Sequence, residues 1–565
     1  MAYETVGDRL LARLADHVDY LFANAGTDFP SLIEAIARAE TTNAAAPKAI
    51  AVPHENLAVA MALGHTMVSG RAQAVMVHVG VGTANAICGL LNASRERLPL
   101  LLAAGRTPLL EAGAEGARSR YIHWAQEMYD QAGMLREAVK WDYELGRPEQ
   151  LETVLDRAFA IATSEPRGPV YLSLPREVLA APAAATATTA TTLPAAQAPA
   201  ATASAIDAAA AILAEAQRPL IVTASAGRDP AAVEHLARLA ERFALPVVSF
   251  FPRQLCLPSD HPMHLGYEPG PLLAEADAVL VLECDVPWIP SLQGPPQGAR
   301  VIQLGVDPLF ADYPLRGFPA ELAITAQPAA ALEALGEALA ARLVGAGEAV
   351  AERRQRLAQA RQELEAGWLE TRERLAGATP IHPVWLSHCL DQVIDDEAIV
   401  VNEMALALAH ITRRRPGSYF GPSPAGGLGW GLGAALGAKL AAPERFVVAA
   451  VGDGSYMFGN PTPAHFVSRA HDLPVLFIVA NNSGWGAVSA ATRAMYPDGE
   501  ALKRNRMPLA TLEPTVAFEH VVEASGGWGE RVEDPAALPE ALQRAVRVVR
   551  EEGRQALLNV ITQDR

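Results

Sequence analysis

Val451-Gly452-Asp453-Gly454-Ser455 closes an apolar run, Phe446 to Val451, and Asn481-Asn482 closes a second, Pro474 to Ala480, with 26 residues between Gly454 and Asn481. Two strand-like runs of this kind carry an aspartate and an asparagine pair to the same edge of a sheet. Asp and Asn side chains offer hard oxygen ligands, which suit a Mg²⁺ that keeps diphosphate oxygens as its other partners. The glycines allow close approach of the backbone to an anion, and a helix start nearby aims N–H groups at it.

The 565 residues exceed one ordinary core and predict three or four domains. Half are hydrophobic and 19% charged, the balance of a globular chain. A net charge of −17, from 46 basic and 63 acidic residues, argues against nucleic acid or an anionic membrane as partner. Cys88, Cys256, Cys284 and Cys389 are scattered, without metal-ligand spacing, which fits a reducing compartment. Met1 to Leu21 interleaves Glu4, Asp8, Arg9, Arg13 and Asp16 with apolar residues and predicts an amphipathic helix. No stretch of ~20 uninterrupted apolar residues occurs, so the expected location is cytoplasmic, away from a membrane.

Short β-rich runs alternate with Ala/Leu-rich helical stretches, the pattern of parallel α/β domains. Strands are expected at Tyr20–Ala23, Ala74–His78, Leu98–Ala103 and Pro169–Leu174; at Leu220–Thr223, Val247–Phe251, Ala278–Leu282 and Val301–Leu304; and at Ala398–Val401, Phe446–Val451, Val475–Val479 and Ala556–Ile561. An Ala/Thr/Pro tract from Ala180 to Ser204 reads as a linker. Val350 to Ala376, rich in Arg and Glu, reads as a solvated connecting helix. The expected fold class is α/β, with three doubly wound parallel-sheet domains.

With GDG and the spaced NN in place, the chain resembles the thiamine diphosphate (ThDP) enzymes, and in domain order their pyruvate decarboxylase and acetolactate synthase-like branch. The resemblance implies a pyrimidine-binding domain at 1–179, a linker at 180–204, a middle domain at 205–345, a connecting helix at 346–379 and a diphosphate-binding domain at 380–565. It implies cofactor contacts from Gly426, Leu428, Gly452, Asp453, Gly454, Ser455, Asn482 and Gly484, with Mg²⁺ held at Asp453, Asn482 and Gly484. FAD is compatible with the branch, but nothing in the sequence indicates it. Leu428 stands 25 residues before Asp453, the position of the apolar wedge that bends the cofactor; its part is proximity, not reactivity.

ThDP chemistry asks for a buried Glu against the aminopyrimidine. Glu55, in Val52-Pro53-His54-Glu55-Asn56, matches the family's His-Glu element; the alternative is a Glu that merely favours a helix's first turn. His78, 23 residues on, ends a strand and enters the glycine-rich turn Val79-Gly80-Val81-Gly82-Thr83-Ala84-Asn85. This resembles the benzoylformate decarboxylase subgroup and implies proton transfer by His78 near neutral pH; the alternative is a satisfied core histidine. In Asn24-Ala25-Gly26-Thr27-Asp28, Thr27 corresponds to the subgroup's substrate-facing hydroxyl, with Asp28 its rival and an Asx or ST turn the structural alternative. Asn402-Glu403, at the end of a strand, is expected to line the pocket.

The subgroup's second histidine, from the middle domain, has no counterpart in Glu283-Cys284-Asp285-Val286-Pro287-Trp288, and His261 and His264 lie upstream. His123 to Glu127, with Gln126, resembles the Gln-Glu element of acetolactate synthases and 2-hydroxyacyl-CoA lyases, and Trp485 is placed near the acyl pocket or in the core. The expected function is a ThDP- and Mg²⁺-dependent 2-oxo acid decarboxylase with carboligase capability, taking a small-molecule 2-oxo acid or aldehyde. It is expected to act as a homodimer or homotetramer with active sites between chains. The alternative is an acetolactate synthase-like or benzaldehyde or 2-hydroxyacyl lyase-like carboligase. A flavin or nicotinamide oxidoreductase is more remote, since no GxGxxG with an acidic ribose partner occurs.

Overall fold

The computed structural model describes residues 5–183, 193–504 and 506–563. Its strands form three parallel sheets. β1 (Tyr20–Ala23), β2 (Lys48–Ala51), β3 (Gln73–Val77), β4 (Leu100–Arg106), β5 (Asp142–Glu144) and β6 (Pro169–Pro175) lie in the order β2-β1-β3-β4-β6-β5. β7 (Pro219–Thr223), β8 (Val247–Ser249), β9 (Ala278–Leu282), β10 (Arg300–Gly305) and β11 (Leu322–Thr325) follow as β11-β10-β9-β7-β8. β12 (Ile399–Glu403), β13 (Tyr419–Phe420), β14 (Val447–Gly452), β15 (Leu476–Asn481), β16 (Trp528–Val532) and β17 (Ala556–Ile561) complete the set as β13-β12-β14-β15-β17-β16. The protein is thus α/β with three parallel-sheet domains. Helices cover both faces, which is why central strands such as β3 and β15 are buried along their whole length.

The first and third sheets share one strand order. In each, the first strand pairs with the second on one side and the third on the other, so a crevice opens at the carboxyl ends of β1 and β3, and of β12 and β14. Such switch points are where open α/β sheets place ligands. The sequence spacing therefore carries Asp28 and His78 to one crevice, and Glu403 and Asp453 to the other.

These two domains pack on each other within the chain. Helices Glu55–Ser69 and Trp430–Ala441 lie side by side, and a Cβ on Gly437 would stand 1.9 Å from the Met61 carbonyl oxygen. A Cβ on Gly64 would stand 2.0 Å from that of Ala434. Glycine lets the helices approach backbone to backbone. A single core accordingly joins Phe22, Leu57 and Val77 with Val401, Leu436 and Val451.

The amino-terminal helix is shorter than expected, Val6–Leu14, set by a Thr5/Asp8 capping box; Tyr20 and Leu21 belong to β1, and residues 1–4 lie outside the described residues. The charged helix runs Gly347–Leu375 and is not wholly solvated: Arg353 is buried and donates to the carbonyls of Ala216 (3.2 Å) and Phe243 (2.9 Å). Residues 184–192 of the expected linker lie outside the described residues; beyond them, Pro199 accepts a hydrogen bond from Gln327 N–H (2.8 Å). The glycine-rich stretch after His78 is no turn but the first turns of a helix, Val79–Arg95. Among the described residues, no helix is long and apolar enough to cross a membrane.

Candidate active site

At the first crevice Asp28, 3% exposed, accepts from His78 Nδ1 at 2.5 Å through one oxygen and from Val79 N–H at 3.2 Å through the other. Val79 has φ 34°, an uncommon value for a β-branched residue, and this second hydrogen bond helps hold it there. Two glycines make the room. A Cβ on Gly26 would stand 2.1 Å from the His78 ring, and one on Gly105 1.7 Å from the Asp28 carboxylate. Asp28 is thus the partner of His78 rather than a rival to Thr27, whose carbonyl is fixed by Arg176 (3.0 Å).

His78 Nε2 lies 3.3 Å from Gln126 Nε2. With Nδ1–H given to Asp28, the neutral ring offers Nε2 as acceptor to the Gln126 amide, and rotation of the amide serves the imidazolium equally well. The Asp28 hydrogen bond raises the His78 pKa above its usual value, against the opposing effect of burial, with further help from Glu55. Glu55 opens helix Glu55–Ser69, receives Asn85 Nδ2 at 3.2 Å and is largely buried. His123 is buried, accepts from Ser119 N–H (3.1 Å), and its pKa is depressed by burial and nearby arginines, so it shapes the turn that carries Gln126.

At the second crevice Asp453 accepts from Gly454 N–H (2.9 Å) and Gly484 N–H (3.0 Å), and Asn482 Oδ1 accepts from the same Gly484 N–H (3.2 Å). Asp453 and Asn482 oxygens therefore converge at the start of the Gly484 turn. Asn481 turns instead into the core, donating to Asn559 (3.0 Å) and accepting from Ser483 N–H (3.1 Å). Burial raises the Asp453 pKa above its usual value, against the lowering effect of the backbone N–H groups that it accepts. Trp485 lies across the GDG segment: a Cβ on Gly454 would stand 2.2 Å from its ring, and Phe458 meets it edge-on at 5.5 Å.

Glu403 ends β12 fully buried and accepts from Gly429 N–H (2.6 Å) and Gly431 N–H (2.8 Å); burial pushes its pKa up to about 7. A Ser455 hydrogen bond also reaches it, so Glu403 ties GDG to the Gly426–Gly429 turn. Gly426 and Gly429 both have positive φ, 68° and 87°. Asn92, which no sequence signal singled out, grips the intervening Gly427 by its carbonyl (2.8 Å) and its N–H (3.2 Å). Gly426, Leu428, Asn402 and Glu403 line one end of a cavity of about 960 Å³. The middle domain closes it with Phe251, Leu265 and Ile289, and His261 and His264 are absent from its lining.

The described residues fit the group that the sequence implies: hard oxygens at Asp453 and Asn482, open backbone at Gly452 and Gly426, and a buried Glu55 whose charge acts on His78. The models of three thiamine pyrophosphate enzyme domains match the chain: the N-terminal TPP-binding domain at 4–134, the central domain at 206–335 and the C-terminal TPP-binding domain at 401–560. The chain belongs to the thiamine pyrophosphate enzyme family and carries both of its ThDP-binding domains. It is 25% identical to a sulfoacetaldehyde acetyltransferase of Alcaligenes xylosoxydans xylosoxydans, over 97% of this chain and 91% of that one. It is 29% identical to a benzoylformate decarboxylase of Pseudomonas aeruginosa, over 77% of this chain and 79% of that one. A solved ThDP-dependent 4-hydroxybenzoylformate decarboxylase of Rhodococcus jostii RHA1 shares the fold with a TM-score of 0.79 at 22% identity, over 99% of both chains.

The Asp28–His78 pair predicts a pH dependence for any turnover that uses the His78 proton. A carboxylate on Nδ1 favours the imidazolium, so the protonated form survives to higher pH than in a free histidine. Where the imidazolium donates the proton, turnover falls as pH rises through the His78 pKa. Asp28→Asn is expected to move that fall to lower pH, read from kcat against pH with cofactor saturating. An unmoved profile would separate His78 from the proton transfer.

Proposed function

We propose that this enzyme is a ThDP- and Mg²⁺-dependent decarboxylase of 2-oxo acids with carboligase capability. The observation that carries the reading is the Asp28–His78–Gln126 chain beside Glu55. It couples a histidine of raised pKa to a buried carboxyl group at a switch-point crevice. When bound, ThDP supplies a carbon nucleophile and a sink for the electron pair left by CO₂. Asp453, Asn482 and Gly484 hold the metal and diphosphate, Gly426 and Leu428 seat the rings, and Glu55 holds the aminopyrimidine proton. His78 gives or takes a proton at the substrate-derived carbon, with Asp28 fixing its tautomer and Gln126 following Nε2. General acid–base help of this kind is worth ~10²–10⁴ in rate.

A second reading, a carboligase of the acetolactate synthase or 2-hydroxyacyl lyase kind, is favoured by Gln126 itself. The cavity of about 960 Å³ also leaves space for an acceptor. The names of the two relatives, one an acetyltransferase and one a decarboxylase, support both. Product analysis separates them: free aldehyde from pyruvate or benzoylformate alone supports the first, acyloin the second. The four cysteines are all unpaired, which supports the cytoplasmic reading.

We further propose that the site is completed between two chains, Glu55 and His78 from one and Asp453, Asn482 and Leu428 from the other. Glu55→Gln chains mixed with Asp453→Ala chains are then expected to recover activity, because each heterodimer holds one site free of both changes. No recovery despite demonstrated subunit exchange would contradict it.

A further inference from the structure

Beyond the catalytic crevices, a polar pocket of about 320 Å³ lies where helix Gly347–Leu375, helix Pro383–Asp391 and residues 408–414 meet. Most charges around it are spent. Arg361 pairs with Glu365 (2.7 Å), and Arg414 with Asp260 (2.6 Å) and Asp396 (2.8 Å). Asp391 accepts from the N–H (2.7 Å) and hydroxyl (3.2 Å) of Thr412. Three basic groups are left over. Among the described residues, the half-buried Arg372 guanidinium has no ion pair or hydrogen bond, and neither the His388 nor the His410 ring makes a hydrogen bond.

We propose that Arg372, His388 and His410 form a binding site for a small oxyanion: a carboxylate, phosphate or sulfonate group. A guanidinium with all its donors free, two imidazoles able to take up protons and a cavity of small-molecule size match that chemistry. The local field agrees. Burial and the nearby Arg372 lower the pKa of His388, with Asp391 opposing. Burial, Arg372, His388 and His382 together press His410 down to about 4. An arriving anion reverses that repulsion. A metal is disfavoured: Arg372 opposes it, and no cluster of three His, Cys, Asp or Glu that could hold one occurs among the described residues. Tyr267, Trp368, Leu408, Ala409 and His410 line both this pocket and the large cavity, so an occupant fixes the wall between them. The site is independent of the reading of the catalytic crevices.

The test is calorimetric titration of the enzyme loaded with ThDP and Mg²⁺, so that the diphosphate site is filled, at fixed ionic strength. Inorganic phosphate, acetate and methanesulfonate are separate arms and distinguish the three oxyanions. Saturable binding of at least one is expected, weakened ~10-fold or more in Arg372→Gln and less in Arg372→Lys, which keeps the charge but loses the fork. Protonation of the histidines adds a second readout: affinity increases as pH falls, with proton uptake visible as a dependence of the heat on buffer. Absence of saturable binding of all three at millimolar affinity, or equal affinity in wild type and Arg372→Gln, would overturn the proposal.

Discussion

Glu55→Gln is expected to leave ThDP bound while slowing exchange of its C2 proton into D₂O by ~10²–10⁴, the range for loss of a positioned proton-transfer group. The amide keeps the length of the side chain, so the contact from Asn85 at 3.2 Å and the close backing of Gly82, where a Cβ would stand 3.3 Å from Glu55 Oε1, survive the change. Only the capacity to share a proton with the aminopyrimidine is lost. Glu55 at the first position of its helix also interacts favourably with the helix dipole, worth ~0.3–1 kcal/mol. That contribution affects stability and not exchange, so the two roles separate cleanly. Proton NMR of the loaded enzyme measures the rate, and exchange as fast as in the wild type would remove Glu55 from the chemistry.

Asp453→Ala is expected to lose cofactor through gel filtration, with retention weakened by more than ~10²-fold, a loss that even residues behind a metal ligand approach. The carboxylate is a charged ligand, and it also accepts the N–H groups of Gly454 and Gly484, so alanine both removes charge and loosens the turn. Asp453→Asn isolates the charge, because one amide oxygen keeps an acceptor while the negative charge is gone. Asn482→Ala, which removes a neutral oxygen, is expected to weaken retention less. Asp453→Ala enzyme that keeps ThDP in the presence of a chelator would put the metal elsewhere.

The central strands were legible because both faces are covered, which writes them as continuous apolar runs: Tyr20–Ala23, Ala278–Leu282 and Ala556–Ile561 were read to the residue. The strands that were not read, β2, β5, β11, β13 and β16, all stand at sheet edges. An edge strand has one neighbour and a partly wet face, so Lys48–Ala51 and Trp528–Val532 mix exposed and buried positions without a clear period. Motif spacing carried Asp453, Asn482, Glu55 and His78 to positions just beyond the carboxyl ends of strands because strand ends are fixed by the strands themselves. Partners across chain distance carried no such signal. Asn92 meets Gly427 from another domain, and Gly105, near the end of β4, meets Asp28 from the turn beyond β1. Asp28 looked like a competitor of Thr27 because a linear reading cannot show that its carboxylate points at His78. The glycines after His78 suggested a turn, whereas close neighbours, Met128 over Gly80 and Val77 over Gly82, make them helix-packing residues.

The most direct measurement is CO₂ released from a panel of 2-oxo acids, pyruvate and benzoylformate among them, counted per bound ThDP and repeated after removal of the cofactor. The expected result is catalytic CO₂ release from at least one acid that vanishes without ThDP and returns on its readdition. A fully loaded enzyme that releases no CO₂ from any member of the panel, or one that releases it equally without ThDP, would contradict the assignment.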